Sequence, residues 1–255
     1  MSAFTLKNGQ LYAESVALSD IAARFGTPCY VYSRTALEAA LDEYLQELMG
    51  VDALVCFAVK ANANLAILDV FSRLGAGFDI VSGGELKRVL AVDGDPKKVV
   101  FSGVGKSREE MKLALEHDIL CFNVESAPEL EQLNEVAGVL GRKAPISLRV
   151  NPNVDPKTHP YISTGLKKNK FGVAYDDALS LYQHAVTLPN LEITGIDCHI
   201  GSQLLDPSPF AEALDKILIL VDQLASNGIQ LRHIDLGGGL GIRYKDEQEP
   251  TVKSY

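Results

Sequence analysis

Leu54-Val-Cys-Phe-Ala-Val-Lys60, Phe78-Asp-Ile-Val81, Val99-Val-Phe-Ser-Gly103 and Leu120-Cys-Phe-Asn-Val124 are short, mostly apolar runs, each followed by a stretch of helical periodicity. Near-continuous apolar strands separated by helices describe βαβ units, in which a parallel sheet is covered on both faces. The polar residues at successive strand ends, Lys60, Ser82, Ser102 and Asn123, fall 20 to 22 residues apart. That spacing is the period of a (β/α) barrel built without insertions. A doubly wound open sheet is the competing arrangement. The barrel is preferred because polar residues recur at the C-terminal ends of the strands, the face on which barrels gather their active sites.

The pattern continues with strands over Ser147–Asn151, Gly195–Gly201 and His233–Gly238, contributing Arg149, His199 and Gly237 to that face. Helices are predicted at roughly 63–74, 84–92, 107–117, 126–139, 176–187 and 208–227. Ser107 precedes Arg-Glu-Glu, and Ser126 has Glu129 three residues on, both sound helix starts. The first 33 residues read differently: a hairpin around Lys7-Asn8-Gly9, a helix near 18–25, then Cys29–Ser33 as a strand. The domain division is therefore 1–33 and 34–255. Segment 152–175 has no clear period and is long for a loop, which marks it as functional or mobile.

With 47% hydrophobic and 22% charged residues, the chain has the composition of a soluble globular protein. Its net charge of -9 and lack of a long basic cluster argue against nucleic-acid binding. The N-terminus has no basic region followed by an apolar core, and no apolar stretch reaches membrane-spanning length. A cytoplasmic location without membrane attachment is the expectation. Cys29, Cys56, Cys121 and Cys198 lack metal or redox spacing and are read as buried, reduced thiols, with no metal site.

Four places carry chemistry. Lys60 closes an apolar run, so its amine is expected to be desolvated, as suits Schiff-base formation; the alternative is a lysine that snorkels into solvent. Asp235-Leu-Gly-Gly-Gly-Leu-Gly-Ile242 offers amides without side chains, able to line a phosphate or simply to make a tight turn. In Asp197-Cys-His-Ile-Gly-Ser-Gln203, period-two alternation puts Asp197 and His199 on one side and Cys198 and Ile200 on the other. A structural histidine is the alternative there. Asp79 lies within a strand end, where Lys60 could pair with it, whereas Glu85 most simply opens a helix.

Taken in order, Phe57-Ala-Val-Lys60-Ala-Asn62, Phe78-Asp-Ile-Val-Ser-Gly-Gly-Glu85, His199-Ile-Gly-Ser-Gln203 and Asp235-Leu-Gly-Gly-Gly239 resemble the fold-type III pyridoxal-phosphate decarboxylases. Arg149-Val-Asn-Pro-Asn-Val-Asp155, His159-Pro-Tyr-Ile-Ser-Thr-Gly165 and Lys170-Phe-Gly172 are similar to the diaminopimelate branch rather than the ornithine or arginine branches. The resemblance implies a (β/α)8 TIM-type barrel and pyridoxal 5'-phosphate as cofactor. It implies a lyase releasing CO2 from meso-2,6-diaminopimelate to give L-lysine, working as a homodimer. By the same resemblance Lys60 carries the cofactor, His199 stacks on its ring, and Ser202 with Gly237, Gly238 and Gly239 holds its phosphate. Asp79, Glu85 and Arg149 line the site. The family's eighth strand, with its Glu-Pro-Gly-Arg motif, and the β-domain after it do not occur before Tyr255. The chain is thus expected to be an N-terminal portion, inactive alone, with residues 1–33 belonging partly to that β-domain. Another amino-acid or polyamine decarboxylase of the same fold, or a noncatalytic cofactor-binding module, are the other readings.

Overall fold

The computed structural model describes residues 3–155 and 171–255. The middle of the long 152–175 segment, with the motifs quoted there from His159 to Lys170, lies outside the described residues. At the N-terminus β1 (Phe4–Lys7), β2 (Gln10–Ala13) and β3 (Val16–Ala17) form an antiparallel sheet, followed by α1 (Leu18–Phe25). The hairpin at Asn8 and the helix are as expected, but Cys29–Ser33 is not a strand. Tyr30 and Tyr32 are exposed there. Ser33 instead caps α2 (Arg34–Glu47), accepting from the Ala36 amide and donating to Glu14 Oε1 at 2.6 Å.

The alternation then begins. Strands β4 (Cys56–Ala58), β5 (Gly77–Ile80), β6 (Val99–Phe101) and β7 (Cys121–Val124) are separated by α3 (Leu65–Arg73), α4 (Gly83–Leu90) and α5 (Arg108–Glu116). There follow α6 (Ala127–Leu140), β8 (Ala144–Asn151), the short β9 (Val173–Ala174), α7 (Tyr175–Thr187), β10 (Leu191–Asp197), α8 (Ser208–Ser226) and β11 (His233–Asp235). Serines 82, 107 and 126 cap α4, α5 and α6, and Ser107 with Glu110 completes a capping box.

All the pairings in the large sheet are parallel, and its order, β11-β10-β8-β7-β6-β5-β4, follows chain order; β9 pairs with β8 beside this path. A doubly wound sheet would reverse direction partway; this one does not. It also curls. Strands β7 and β11 stand three positions apart, about 14 Å along a flat sheet, yet Asn123 Nδ2 donates to Asp235 Oδ2 at 3.0 Å. The fold is a curled parallel (β/α) half-barrel of seven strands among the described residues.

Its outer face is the apolar core. Phe78, Ile80, Phe101, Phe122, Val124, Ile146, Leu148 and Ile196 pack there with Leu68, Leu86, Met111, Leu133 and Leu220 from the helices. Tyr182 of α7 is wholly buried, and its hydroxyl donates to the Gly195 carbonyl at 2.7 Å, beside the register shift in β10. A Cβ on Gly195 would fall 2.2 Å from His233 Nε2, so only glycine lets that imidazole enter the interior. Cys198 packs in the core and burial pushes its thiol up to about 12, leaving it inert. Cys121 is buried as expected, but Cys29 is exposed and Cys56 only half-buried, against the reading of four buried thiols; all four are free.

Candidate active site

Side chains alternate across a strand. Because Phe78, Ile80, Phe122, Val124, Leu148 and Ile196 lie under the helices, their neighbours Asp79, Asn123, Arg149 and Asp197 turn into the curl. The interior is therefore polar, and a hydrogen-bonded chain crosses it. Ser102 Oγ donates to Asp79 Oδ1 at 2.7 Å; Asn123 Nδ2 donates to Ser102 Oγ at 3.2 Å and to Asp235 Oδ2 at 3.0 Å. The Gly237 amide ends the chain on Asp235 Oδ1 at 2.8 Å. Burial pushes Asp79 up to about 6, opposed by the Ser102 hydrogen bond and the charge of Lys60. Asp197 is raised well above the usual carboxylate range by its complete burial and by Asp235.

Lys60 follows β4 in a 3-10 turn over Val59–Ala61 that carries its side chain out of the apolar layer. It is exposed, which corrects the expectation of a desolvated amine: Val59 takes the buried position and Lys60 the mouth of the curl. From there its charge still acts on Asp79 and on His199. His199 is half-buried just beyond β10, and its Nδ1 accepts the Gly238 amide at 3.2 Å, which puts the proton of the neutral ring on Nε2. Burial, then the charges of Arg149 and Lys60, push this imidazole down to about 3. At neutral pH it is an uncharged ring.

The glycine loop lies against the turn that follows His199. Leu204 donates to the Gly239 carbonyl and the Gly241 amide to Leu204, each at 2.8 Å, so exposed Ser202 and Gly237–Gly239 stand side by side. A Cβ on Gly239, where φ is +116, would meet the Gly201 carbonyl at 2.0 Å. One on Gly238 would meet nothing within 4 Å, leaving an open approach over the loop. Two of the three amides already have acceptors, Gly237 in Asp235 and Gly238 in His199. Glu85 accepts the Val81 amide at 2.7 Å at the start of α4, the helix-opening position.

Arg149 is buried, with Nη1 3.2 Å from Glu125 Oε1, Nε 3.9 Å from Asp197 Oδ2 and its guanidinium 5.0 Å from the centre of the Phe171 ring. Sequence reading missed Glu125 and Lys106, and took Glu129 only for a helix start, whereas its carboxylate accepts from the Glu125 amide and Lys106. The signal for the first was present: Cys121, Asn123 and Glu125 continue one period-two face. Structure thus brings Lys60, Asp79, Arg149 and His199 into one electrostatic field, with the glycine loop against His199 and the turn that carries Ser202 beside that loop.

Comparison with known proteins supplies the family. The profile of the family "Pyridoxal-dependent decarboxylase, pyridoxal binding domain" matches residues 34–255. The diaminopimelate decarboxylase of Pseudomonas aeruginosa is 62% identical over 255 residues, covering 100% of this chain and 61% of that protein. Among solved structures, diaminopimelate decarboxylase from Helicobacter pylori complexed with L-lysine is similar with a TM-score of 0.91 and 44% identity, over 93% of this chain and 60% of that one. The enzyme from M. jannaschii in co-complex with L-lysine has a TM-score of 0.92 and 42% identity, over 100% and 61%. The chain therefore spans about 60% of the length of these relatives. A parallel half-barrel with a lysine at its mouth, and a family profile over all but the first 33 residues, place the chain among the pyridoxal-dependent decarboxylases, in their pyridoxal-binding domain.

Proposed function

We propose that this chain forms the cofactor-holding part of a lyase that converts meso-2,6-diaminopimelate to L-lysine and CO2. The observation that carries the reading is the Lys60 amine at the mouth of the curl, acting on Asp79 and His199 beside an open glycine loop. The L-lysine complexes of two relatives support the product. The residues present fit pyridoxal 5'-phosphate: an accessible amine, a neutral imidazole, and the unobstructed approach over Gly238 next to the Ser202 hydroxyl. When bound, that cofactor supplies an electron sink for the pair left behind as CO2 departs.

The chain's own side chains have separable tasks. Lys60 would hold the cofactor through its amine, and the same amine is placed to carry a proton near the reacting carbon. His199, uncharged, presents a ring face, and its Nδ1 keeps the Gly238 amide in place. Ser202 and Gly238 would bound the phosphate, with Gly237 and Gly239 shaping the loop. Arg149 and Asp79 set the field inside the curl, and Glu85 holds the turn between β5 and α4. We further infer a homodimeric, cytoplasmic enzyme, consistent with four free cysteines, and a division at residue 33 between an N-terminal segment and the barrel.

Borohydride reduction of the protein loaded with pyridoxal phosphate, followed by peptide mass spectrometry, should place the reduced cofactor on Lys60. Lys60→Ala should abolish trapping while moving the melting temperature little, since substitution of an exposed side chain usually changes stability by less than about 0.5 kcal/mol. Label on another lysine, or faster CO2 release from ornithine or arginine than from diaminopimelate, would overturn the reading.

A further inference from the structure

Glu125 follows β7 and is 5% exposed, a carboxylate sealed inside the C-terminal face. Its Oε1 accepts the Gly103 amide at 2.9 Å and Arg149 Nη1 at 3.2 Å; its Oε2 accepts the Gly172 amide at 3.2 Å. One side chain thus joins the loop after β6, the strand residue Arg149 and the chain re-entering at β9. Glu125 is itself held. Its amide donates to Glu129 Oε2 at 3.0 Å, while Lys106 Nζ bonds Glu129 Oε1 at 2.7 Å, the Gly103 carbonyl at 2.7 Å and the Asn123 carbonyl at 2.8 Å. Both sides of the Gly103 peptide are therefore tied to this cluster, and the Lys106–Glu129 pair is almost wholly buried, with side chains 1% and 8% exposed. Burying a carboxylate is costly unless it is partnered this fully, and each bond it makes fixes its partner as well.

We propose that Glu125 is a positioning residue, which aims the Arg149 guanidinium into the site between Asp197 and Phe171 and anchors the returning chain at Gly172. It acts through Arg149 and need not touch cofactor or substrate. The proposal deepens the functional reading and rests on it only for its consequence, since the aim of Arg149 is observable without cofactor.

The test has two arms. In the protein without added cofactor, 15N relaxation of the Arg149 Nε–H should report a rigid side chain. It should become mobile in Glu125→Gln and intermediate in Glu125→Asp, which keeps the charge one methylene short. In the protein loaded with pyridoxal 5'-phosphate, Glu125→Gln should weaken cofactor binding about fivefold or more, and Arg149→Met by a similar factor. Glu125→Gln/Arg149→Met should then be no weaker than Arg149→Met alone, whereas a merely structural residue would add its own loss. Glu125→Asp, the milder change, serves both arms if Glu125→Gln does not fold. An Arg149 that stays rigid in the variants, or additive losses in the cycle, would overturn the proposal. Absence of cofactor binding by the unaltered protein would instead defeat the functional reading, and the relaxation arm would still decide whether Glu125 positions Arg149.

Discussion

At the scale of single residues, Asp79 makes the sharpest statement about pH. Burial holds its carboxyl up at about 6 in the folded chain against an ordinary value near 3.8. Between those two values the folded state keeps a proton that the unfolded chain has lost, so stability falls as pH rises from about 4 to about 6. The size is on the order of 3 kcal/mol. Asp197 and Glu129, also raised by burial, act with the same sign. Calorimetric melting between pH 4 and 7 should show the decline, and Asp79→Asn should flatten part of it; an unaltered slope in that variant would remove Asp79 as the cause. That Asp79 points inward was legible from its alternation with Phe78 and Ile80. The exposure of Lys60 stood only as the alternative to a desolvated amine, because an apolar run does not show that its last residues leave the strand for the Val59–Ala61 turn.

Between elements, the glycine loop and the buried ion pair yield opposite kinds of variant. Gly238→Val adds its side chain in open space, so the fold should persist while affinity for pyridoxal phosphate drops at least about tenfold, roughly 1.4 kcal/mol. Gly239→Ala drives a Cβ into the Gly201 carbonyl at positive φ and should cost about 1–3 kcal/mol of stability. Equilibrium urea unfolding separates the two, and a stable Gly239→Ala protein would mean that the loop relaxes freely. At the junction of β6, β7 and α6, Lys106→Met leaves Glu129 buried without its cation and should cost about 3–5 kcal/mol. Lys106→Met/Glu129→Gln, which keeps an acceptor for the Glu125 amide, should recover most of that in the same unfolding experiment. Capping made these helices readable in advance: Ser107 and Ser126 sit where expected. The ion pair was hidden, since its partners stand 23 residues apart, Lys106 in the loop after β6 and Glu129 in α6, and meet only when β6 and β7 pair.

For the molecule as a whole, the parallel architecture was visible in the 20-residue rhythm of Lys60, Ser82, Ser102 and Asn123, because each βα unit repeats one packing problem. The missed Cys29–Ser33 segment shows the limit of such reading. Its β-favouring residues pair with no strand among the described residues, and propensity without a partner does not make a sheet. The correspondence between sheet order and chain order bears on how the protein comes into being. Each βα unit leaving the ribosome can settle on the one made just before it, so growth needs only short loops to close at every step. The Asn123–Asp235 bond is different: it joins residues 112 positions apart and waits for β11 to be synthesised. Asn123→Ala should therefore speed unfolding while leaving the folding rate within about twofold, the mark of a contact formed after the transition state. Stopped-flow kinetics would read this directly, and a slowed folding limb would mean that the curl closes early. In that sense the polar chain across the interior is a late stitch of biosynthesis, and the candidate site cannot exist on a nascent chain until β11 has emerged.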